Sequence, residues 1–367
     1  MKRKKVLIIC RLDGFANSIR PKKIKALLER KNFEVNILDA ITLKINEENK
    51  NKDASIIKKR LMEFLKRYFL DYLINLYLKS NGKKLYNIIK NKNYDAIICE
   101  TEMDAYLFFE DIKAIKILDL PTPLIEELYQ GKLISKKKYE ELIKKEIELY
   151  KRADFLSFHW HTYTDYVKKN IYNGKNLLIA NWGCEPKPKD RIAKFSNKPR
   201  IIFMGYLEGY WNNLPLLSKL SKLYPIDVYG GPEPDKKWGL NYKGYAKSTD
   251  ILSNYQFGLI TITKDRLRKS SFSSKHLEYL SYGLPVLTPN WRKDKLLDNV
   301  SIHYNEKNFL KKIKEYSNKK EWRKRSKKCY AKSRKLNWGD NLKMLINIFK
   351  NKTQNNLGKE IFDEKTN

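Results

Sequence analysis

Apolar residues in this chain fall into short continuous runs, separated by longer stretches with helical periodicity. The first run is Lys5–Cys10 (Lys-Val-Leu-Ile-Ile-Cys), the type of strand buried on both faces of a parallel sheet. A loop, a helix from Arg20 to Lys31 with Ile24, Leu27 and Leu28 on one face, and a strand over Phe33–Leu38 complete a βαβ unit. The pattern predicts further strands at Tyr94–Cys99, Ile115–Leu118, Phe155–His159 and Leu177–Ala180. Between them it predicts a long basic helical region from Ile56 to Lys90, broken near Ser80-Asn81-Gly82, and helices over Lys136–Lys151 and Tyr163–Lys169.

Pro186 to Lys198 is rich in Pro and Lys, has no apolar periodicity and reads as a linker. The pattern then restarts. Strands are expected at Arg200–Met204, Ile226–Tyr229, Asn241–Tyr245, Phe257–Thr261, Leu284–Leu287 and Val300–Tyr304. Helices are expected over Asn213–Leu223, Ser248–Ser253, Lys275–Tyr282, the very basic Glu306–Lys335, and Trp338–Lys350. The reading is therefore α/β: two doubly wound, Rossmann-like parallel-sheet domains facing across a cleft. The expected divisions are a first domain at 1–185, a linker at 186–198, a second domain at 199–335, a returning helix at 336–350 and a polar tail at 351–367.

A length of 367 residues suits about two domains, and 42% hydrophobic residues suffice for two cores. No run of about 18 apolar residues marks a membrane span. The start, Met1-Lys2-Arg3-Lys4-Lys5, is followed by too short an apolar run for a signal peptide, so a cytoplasmic location is expected. Cys10, Cys99, Cys184 and Cys329 lie far apart with no C-x-x-C pair, which argues against zinc and disulfide frameworks. A net charge of +34 suits nucleic acid, an anionic membrane surface or a polyanionic substrate, and also follows from a Lys-, Ile- and Asn-rich composition. The cations are scattered, which argues against a dedicated nucleic-acid interface. The basic helix Ile56–Lys79 reads either as a domain helix edged by Lys stems or as a surface that docks on anionic lipid at the inner face of the membrane.

Several residues can carry chemistry. Asp13 lies in the first loop; Glu100, Glu102, Asp104 and Asp119 lie at strand ends, where α/β sheets place ligands. Helix capping is the alternative role of any one of them. His159 and His161 share a side only if their segment is extended. The densest signal is Ser270–Pro289, where a Ser-rich loop enters a short helix that Gly283 ends. Lys275 and Glu278 lie three apart on the first turn, where unpaired N–H groups suit a phosphate. A capped surface helix with an i,i+3 ion pair is the alternative. The first loop holds one glycine, Gly14, so no G-x-G-x-x-G dinucleotide fingerprint is present.

The segment Ser273-Ser274-Lys275-His276-Leu277-Glu278-Tyr279-Leu280-Ser281-Tyr282-Gly283-Leu284-Pro285-Val286 resembles the Lys-x-x-Glu-Tyr-x-x-x-Gly-x-Pro-Val segment of group-1 nucleotide-sugar glycosyltransferases of the GT-B fold. Weaker matches are Ile202-Phe203-Met204-Gly205, Val228-Tyr229-Gly230, Asn181-Trp182-Gly183 and Asn337-Trp338. The resemblance covers roughly residues 5 to 350. It implies that Glu278 binds ribose hydroxyls, and that Lys275 binds the diphosphate with the N–H groups of the Ser273-Ser274 turn. It also implies that Gly205 opens the donor domain, that no metal or other cofactor is needed, and that anomeric configuration is retained. Ser270 stands where many relatives carry an acid, and Tyr206, Leu207 and Glu208 follow Gly205 where many carry basic residues. Arg266, Arg268 and Lys269 are candidates to supply that charge.

Transfer of a hexose-like sugar from a nucleotide-sugar donor to a glycan or lipid-linked acceptor held by residues 1 to 185 is thus expected. Asp13, Glu102, Asp119 and His159 are candidates to orient or deprotonate the acceptor, Asp119 first because its strand end is expected to face the cleft. A non-catalytic GT-B-like protein that binds a nucleotide or glycan is the alternative, motivated by Ser270; nucleic-acid binding is a weaker one.

Overall fold

The computed structural model describes residues 3–10, 12, 15–39, 86–87, 89–90, 92–100, 112–207 and 211–351. Asp13, Glu102, most of the helical region Ile56–Lys90, and the tail at 352–367 lie outside them. The described chain divides into two units. One comprises Met1–Glu126, Ser135–Asn181 and Leu342–Asn367; the other comprises Glu127–Ile134 and Trp182–Asn341. The Pro/Lys-rich segment expected to be a linker is therefore part of the second unit, as is the short stretch Glu127–Ile134.

The first unit holds β1 (Lys5–Cys10), β2 (Glu34–Asp39), β3 (Ala96–Cys99), β4 (Ile115–Leu120), β5 (Phe155–Phe158) and β6 (Leu177–Ile179). They form one sheet in the order β2-β1-β3-β4-β5-β6, parallel throughout. Its helices are α1 (Phe15–Glu29), the start of α2 (Leu124–Gln130), which passes into the second unit at Glu127, α3 (Lys136–Arg152) and α4 (His161–Asn170). Every residue of β3 is buried, as is all of β1 but Lys5. Strands covered on both faces do not alternate, so the continuous apolar runs follow from the architecture. Helix α3 starts where Lys138 N–H donates to Ser135 Oγ at 3.3 Å, an N-cap bond.

The second unit holds β7 (Ile201–Met204), β8 (Ile226–Tyr229), β9 (Asn241–Tyr242), β10 (Phe257–Leu259), β11 (Val286–Pro289) and β12 (Ser301–Tyr304). Their order is β12-β11-β10-β7-β8-β9, again parallel. Its helices are α5 (Leu214–Leu223), α6 (Ser274–Ser281), α7 (Phe309–Tyr316), α8 (Lys319–Lys335) and α9 (Trp338–Asn341); α10 (Lys343–Asn351) belongs to the first unit. The stretch expected as one helix from Glu306 to Lys335 is two. Asn318 breaks it and caps α8, accepting from Lys320 N–H at 2.9 Å. The helix expected at Ser248–Ser253 is a 3₁₀ turn, Thr249–Asn254, and α2 carried no periodic signal long enough to predict it.

Each sheet reverses its winding at one place, between β1 and β3 in the first and between β7 and β10 in the second. Ligands of open α/β sheets bind beyond the strand ends at such a point. In the second unit the chain leaving β10 is described and leads into α6, and the chain leaving β7 is described as far as Leu207. The two strands pair only over Phe257↔Ile201 and Gly258↔Ile202. Beyond that, Met204 N–H donates to the Tyr279 hydroxyl of α6 at 3.0 Å. The Tyr279 ring reaches this position by lying on Gly258, where a Cβ would sit 2.3 Å from the ring.

The Gly258→Ala chain is expected to lose about 1–3 kcal/mol by overpacking this contact, as read by urea denaturation. Unchanged stability would show that the ring has room to move.

Candidate functional site

The site is built outward from two strand ends. After β7, Gly205 adopts φ +156° and its N–H donates to Tyr229 O at 2.9 Å. After β8, Gly230 adopts φ +136°. A Cβ on Gly230 would lie 1.7 Å from Gly205 O, and a Cβ on Gly205 would lie 1.9 Å from Lys275 Cε and 2.7 Å from its Nζ. The Lys275 stem therefore lies directly on bare main chain at the sheet's reversal point. Its ammonium sits 4.7 Å from the centroid of the buried Phe203 ring, a cation–π contact.

Helix α6 presents its start to the same place. Ser273 is its N-cap but makes no capping bond with its side chain. The N–H groups of Ser274 and Lys275 have no acceptor among the described residues. With the ammonium, they form a concentrated positive spot. Ser273 is half-buried and Ser274 exposed.

Glu278 stands one turn further along α6, half-buried, with Lys187 and Lys275 as its nearest charges. Neither the Lys275 nor the Glu278 side chain makes a hydrogen bond or ion pair among the described residues, so the simple i,i+3 ion pair is not what the structure contains. Burial pushes the Glu278 carboxyl up to about 7, against the pull of the two lysines. Burial likewise lowers Lys275 to about 8, with Glu278 opposing. Lys187 is fixed by its own N–H to Ser281 O at 3.0 Å, and its ammonium lies 5.3 Å from the Tyr282 ring centroid. Lys187 and Tyr279 carried no signal in the sequence that marked them as part of the site, although Tyr279 lies inside the matched segment.

Of the loop cations expected to add charge here, Arg266 is exposed and Arg268 is spoken for. The Arg268 guanidinium is buried against the Glu127 carboxylate, and its backbone N–H donates to Asp265 Oδ1 at 2.6 Å. Arg268 is thus a structural cation of this loop, which corrects the expectation that it faces a ligand. Arg292, which was not anticipated, is buried and donates through Nε and Nη2 to Ser271 O at 3.1 and 2.9 Å. It holds the entrance to α6.

In the first unit, Asp119 does not lie open at its strand end. Its side chain is 0% exposed, and both oxygens are taken by Arg20, Nε to Oδ2 at 2.6 Å and Nη2 to Oδ1 at 2.8 Å. Ser157 Oγ also donates to it. Burial acts to raise its pKa, but Arg20, His159 and the hydrogen bonds outweigh that and hold it below the usual carboxylate range. An anion so stabilised and enclosed is a poor proton acceptor, which corrects its ranking as the first candidate base. Arg20 further donates to Ala180 O and Asn181 O, at 2.8 and 3.0 Å. His159 is buried 3.9 Å from Asp119, and burial together with Arg20 lowers it to about 3, so it is neutral at pH 7. His161 begins α4, so the two histidines do not share an extended segment. Glu100 is buried and raised well above the ordinary value by burial and by Asp119. Asp13 and Glu102 lie outside the described residues.

No protein-family model matches this chain, and no curated protein matches it. Solved structures do. Sucrose-phosphate synthase from Thermosynechococcus elongatus aligns over 96% of this chain and 99% of its own, with TM-score 0.67 at 10% identity. The lipopolysaccharide outer core galactosyltransferase WaaB aligns over 95% and 99%, with TM-score 0.60 at 12% identity. The fold is GT-B. HepE from Anabaena, solved in complex with UDP and glucose, gives TM-score 0.58 at 11% identity over 95% and 100%. The GT-B match spans both sheets and the chain between them, so the two α/β units belong to one known architecture. No helix among the described residues is long and apolar enough to cross a membrane.

Two expectations follow. Asp119→Asn leaves Arg20 buried without its counter-charge and is expected to cost about 3–5 kcal/mol in urea unfolding. An Arg20→Met, Asp119→Leu chain should recover much of that. Loss of activity in Asp119→Asn at undiminished stability would instead return Asp119 to the candidate bases. Inorganic diphosphate, bound by the protonated Lys275, should bind more weakly as pH rises from 7 through about 8, because Lys275 loses its charge while Glu278 gains one. Calorimetric titration from pH 6.5 to 9 checks this, and a flat profile would place the anion elsewhere.

Proposed function

We propose that this chain is a glycosyltransferase that takes a sugar from a nucleotide-sugar donor and transfers it to a glycan or lipid-linked acceptor. The observation that carries the reading is the Lys275 stem lying on Gly205 at the reversal point of the second sheet, beside the unbonded N–H groups of α6. Such a spot suits the diphosphate of a donor. Glu278, one turn on, suits the ribose hydroxyls. The sugar–oxygen bond to the β-phosphate breaks, the acceptor hydroxyl oxygen forms the new bond and releases its proton to the departing phosphate oxygen or to water, and the leaving nucleoside diphosphate gathers negative charge. A fixed ammonium and two N–H groups at that oxygen stabilise the charge as it develops. No bound metal is required for that role in this reading, and the group-1 resemblance of the Lys275 segment favours retention of configuration. HepE, with UDP and glucose, supports the donor class.

A second reading is a GT-B-like protein that binds a nucleotide or glycan without turning it over. Ser270 in place of an acid, and the commitment of Arg268 to Glu127, favour it.

A thermal-shift panel of nucleoside diphosphates and nucleotide sugars tests both. A ligand at about 100 times its Kd should add about 2.7 kcal/mol to stability. Lys275→Met, which keeps an apolar stem on Gly205 and removes the ammonium, should abolish the shift and lower donor hydrolysis by about 10²–10³-fold. Shifts without turnover of any donor favour the second reading; no shift with any nucleotide sinks the first reading and the nucleotide-binding form of the second.

A further inference from the structure

We propose that helix α8 is a docking surface for an anionic membrane. Two helices of this chain have the same length and opposite electrostatics. In α3, 17 residues long, lysines are interleaved with glutamates and paired with them: Lys138 and Lys145 with Glu141, Lys151 with Glu148. In α8, also 17 residues long, the only acid is Glu321. Lys320, Arg323, Lys324, Lys327, Lys328 and Arg334 all face solvent. Among the described residues no cation of α8 lies within ion-pair distance of a carboxylate. A Lys-rich composition alone would load both helices alike.

The arrangement opposes the helix's own stability, since Lys320–Lys324, Arg323–Lys327 and Lys324–Lys328 are like-charge i,i+4 neighbours. What holds α8 is its other face. Trp322, Ser326, Cys329 and Ser333 are buried, and Trp322 Nε1–H donates to Gln256 O at 2.8 Å. The helix is thus a bar about 25 Å long, seated by its buried face and with Ala331 as the one uncharged residue on its exposed face.

A lipid surface fits this bar better than nucleic acid does. The exposed face of α8 carries no aromatic ring on which a base could stack; Trp322 is buried and the half-buried Tyr330 donates to Lys187 O at 2.8 Å. The preceding helix α7 instead leaves Leu310 46% exposed, next to the exposed Lys311 and near Lys314. An apolar tooth among lysines is a feature of helices that lie at a bilayer interface. Each Lys or Arg near an anionic leaflet adds to the attraction, and the attraction falls off with salt. Inside the protein, α8 packs against α6, so docking would anchor the element that carries Lys275. The surface expected from the sequence, Ile56–Lys79, lies outside the described residues, and the inference does not depend on it or on sugar transfer.

The test is co-sedimentation of the full chain with vesicles of phosphatidylglycerol and phosphatidylcholine, against phosphatidylcholine alone. Binding is expected only to the anionic vesicles and should fall steeply with salt. Combined Lys324→Glu, Lys327→Glu and Lys328→Glu should weaken it by about a hundredfold. Lys136→Glu, Lys137→Glu and Lys144→Glu on α3, the same change in net charge, should leave it within about threefold. Neutral Lys→Gln replacements at the three α8 positions give the same order with a smaller loss, and guard against a reversal that fails to fold. Absence of binding to anionic vesicles, or equal loss from the α3 and α8 variants, would overturn the proposal. Displacement from the vesicles by duplex DNA at matched phosphate concentration would also overturn it, in favour of nucleic acid.

Discussion

The second unit is organised by a steric condition: a lysine stem must lie on main chain. At Gly205 any side chain would collide with Lys275, and at Gly230 any side chain would collide with Gly205 itself. Two adjacent strand ends are thereby kept bare, and the ammonium of α6 is delivered to the one edge of the sheet where winding reverses. Tyr279 completes the arrangement from the same helix, since its hydroxyl accepts the Met204 N–H that no strand reaches. Position and orientation of α6 are set together, by a stem on glycine at one end and a phenol on glycine at the other.

The first unit solves a different problem. Three strand ends and the start of α1 converge on one buried ion pair, Arg20 with Asp119, and Arg20 spends its remaining donors on the carbonyls of Ala180 and Asn181. A buried pair in such detail gives little net stability over a hydrophobic replacement, yet is costly to break on one side. Its consequence for chemistry is a shift in neighbours: His159 is driven to neutrality and Glu100 is pressed to hold its proton.

Most of the architecture was legible because it rests on local patterns. Continuous apolar runs such as Lys5–Cys10, bounded by polar loops, identify buried parallel strands, and Lys275 with Glu278 could be placed on one turn by spacing alone. What was not legible depends on partners far along the chain. Asp119 looked available because its cationic partner Arg20 lies 99 residues away. Arg268 looked available because Glu127 lies 141 residues away, on a short helix that follows two prolines and shows no period. The break between α7 and α8 was missed because Asn318 acts through a side-chain cap, which polar composition in a basic stretch conceals. Gly205 could be noted as a turn, but the reason for it, a lysine from α6 occupying its Cβ position, is visible only in three dimensions.

A lysine seated on main chain, where side chains are absent, makes few demands on residue identity. Beyond two glycines, a lysine and a phenol, the surrounding strands need only be apolar and of the right length. Such a domain is free to exchange nearly all of its sequence while keeping its shape. Identities of 10–12% alongside TM-scores of 0.58–0.67 are the footprint expected of that freedom.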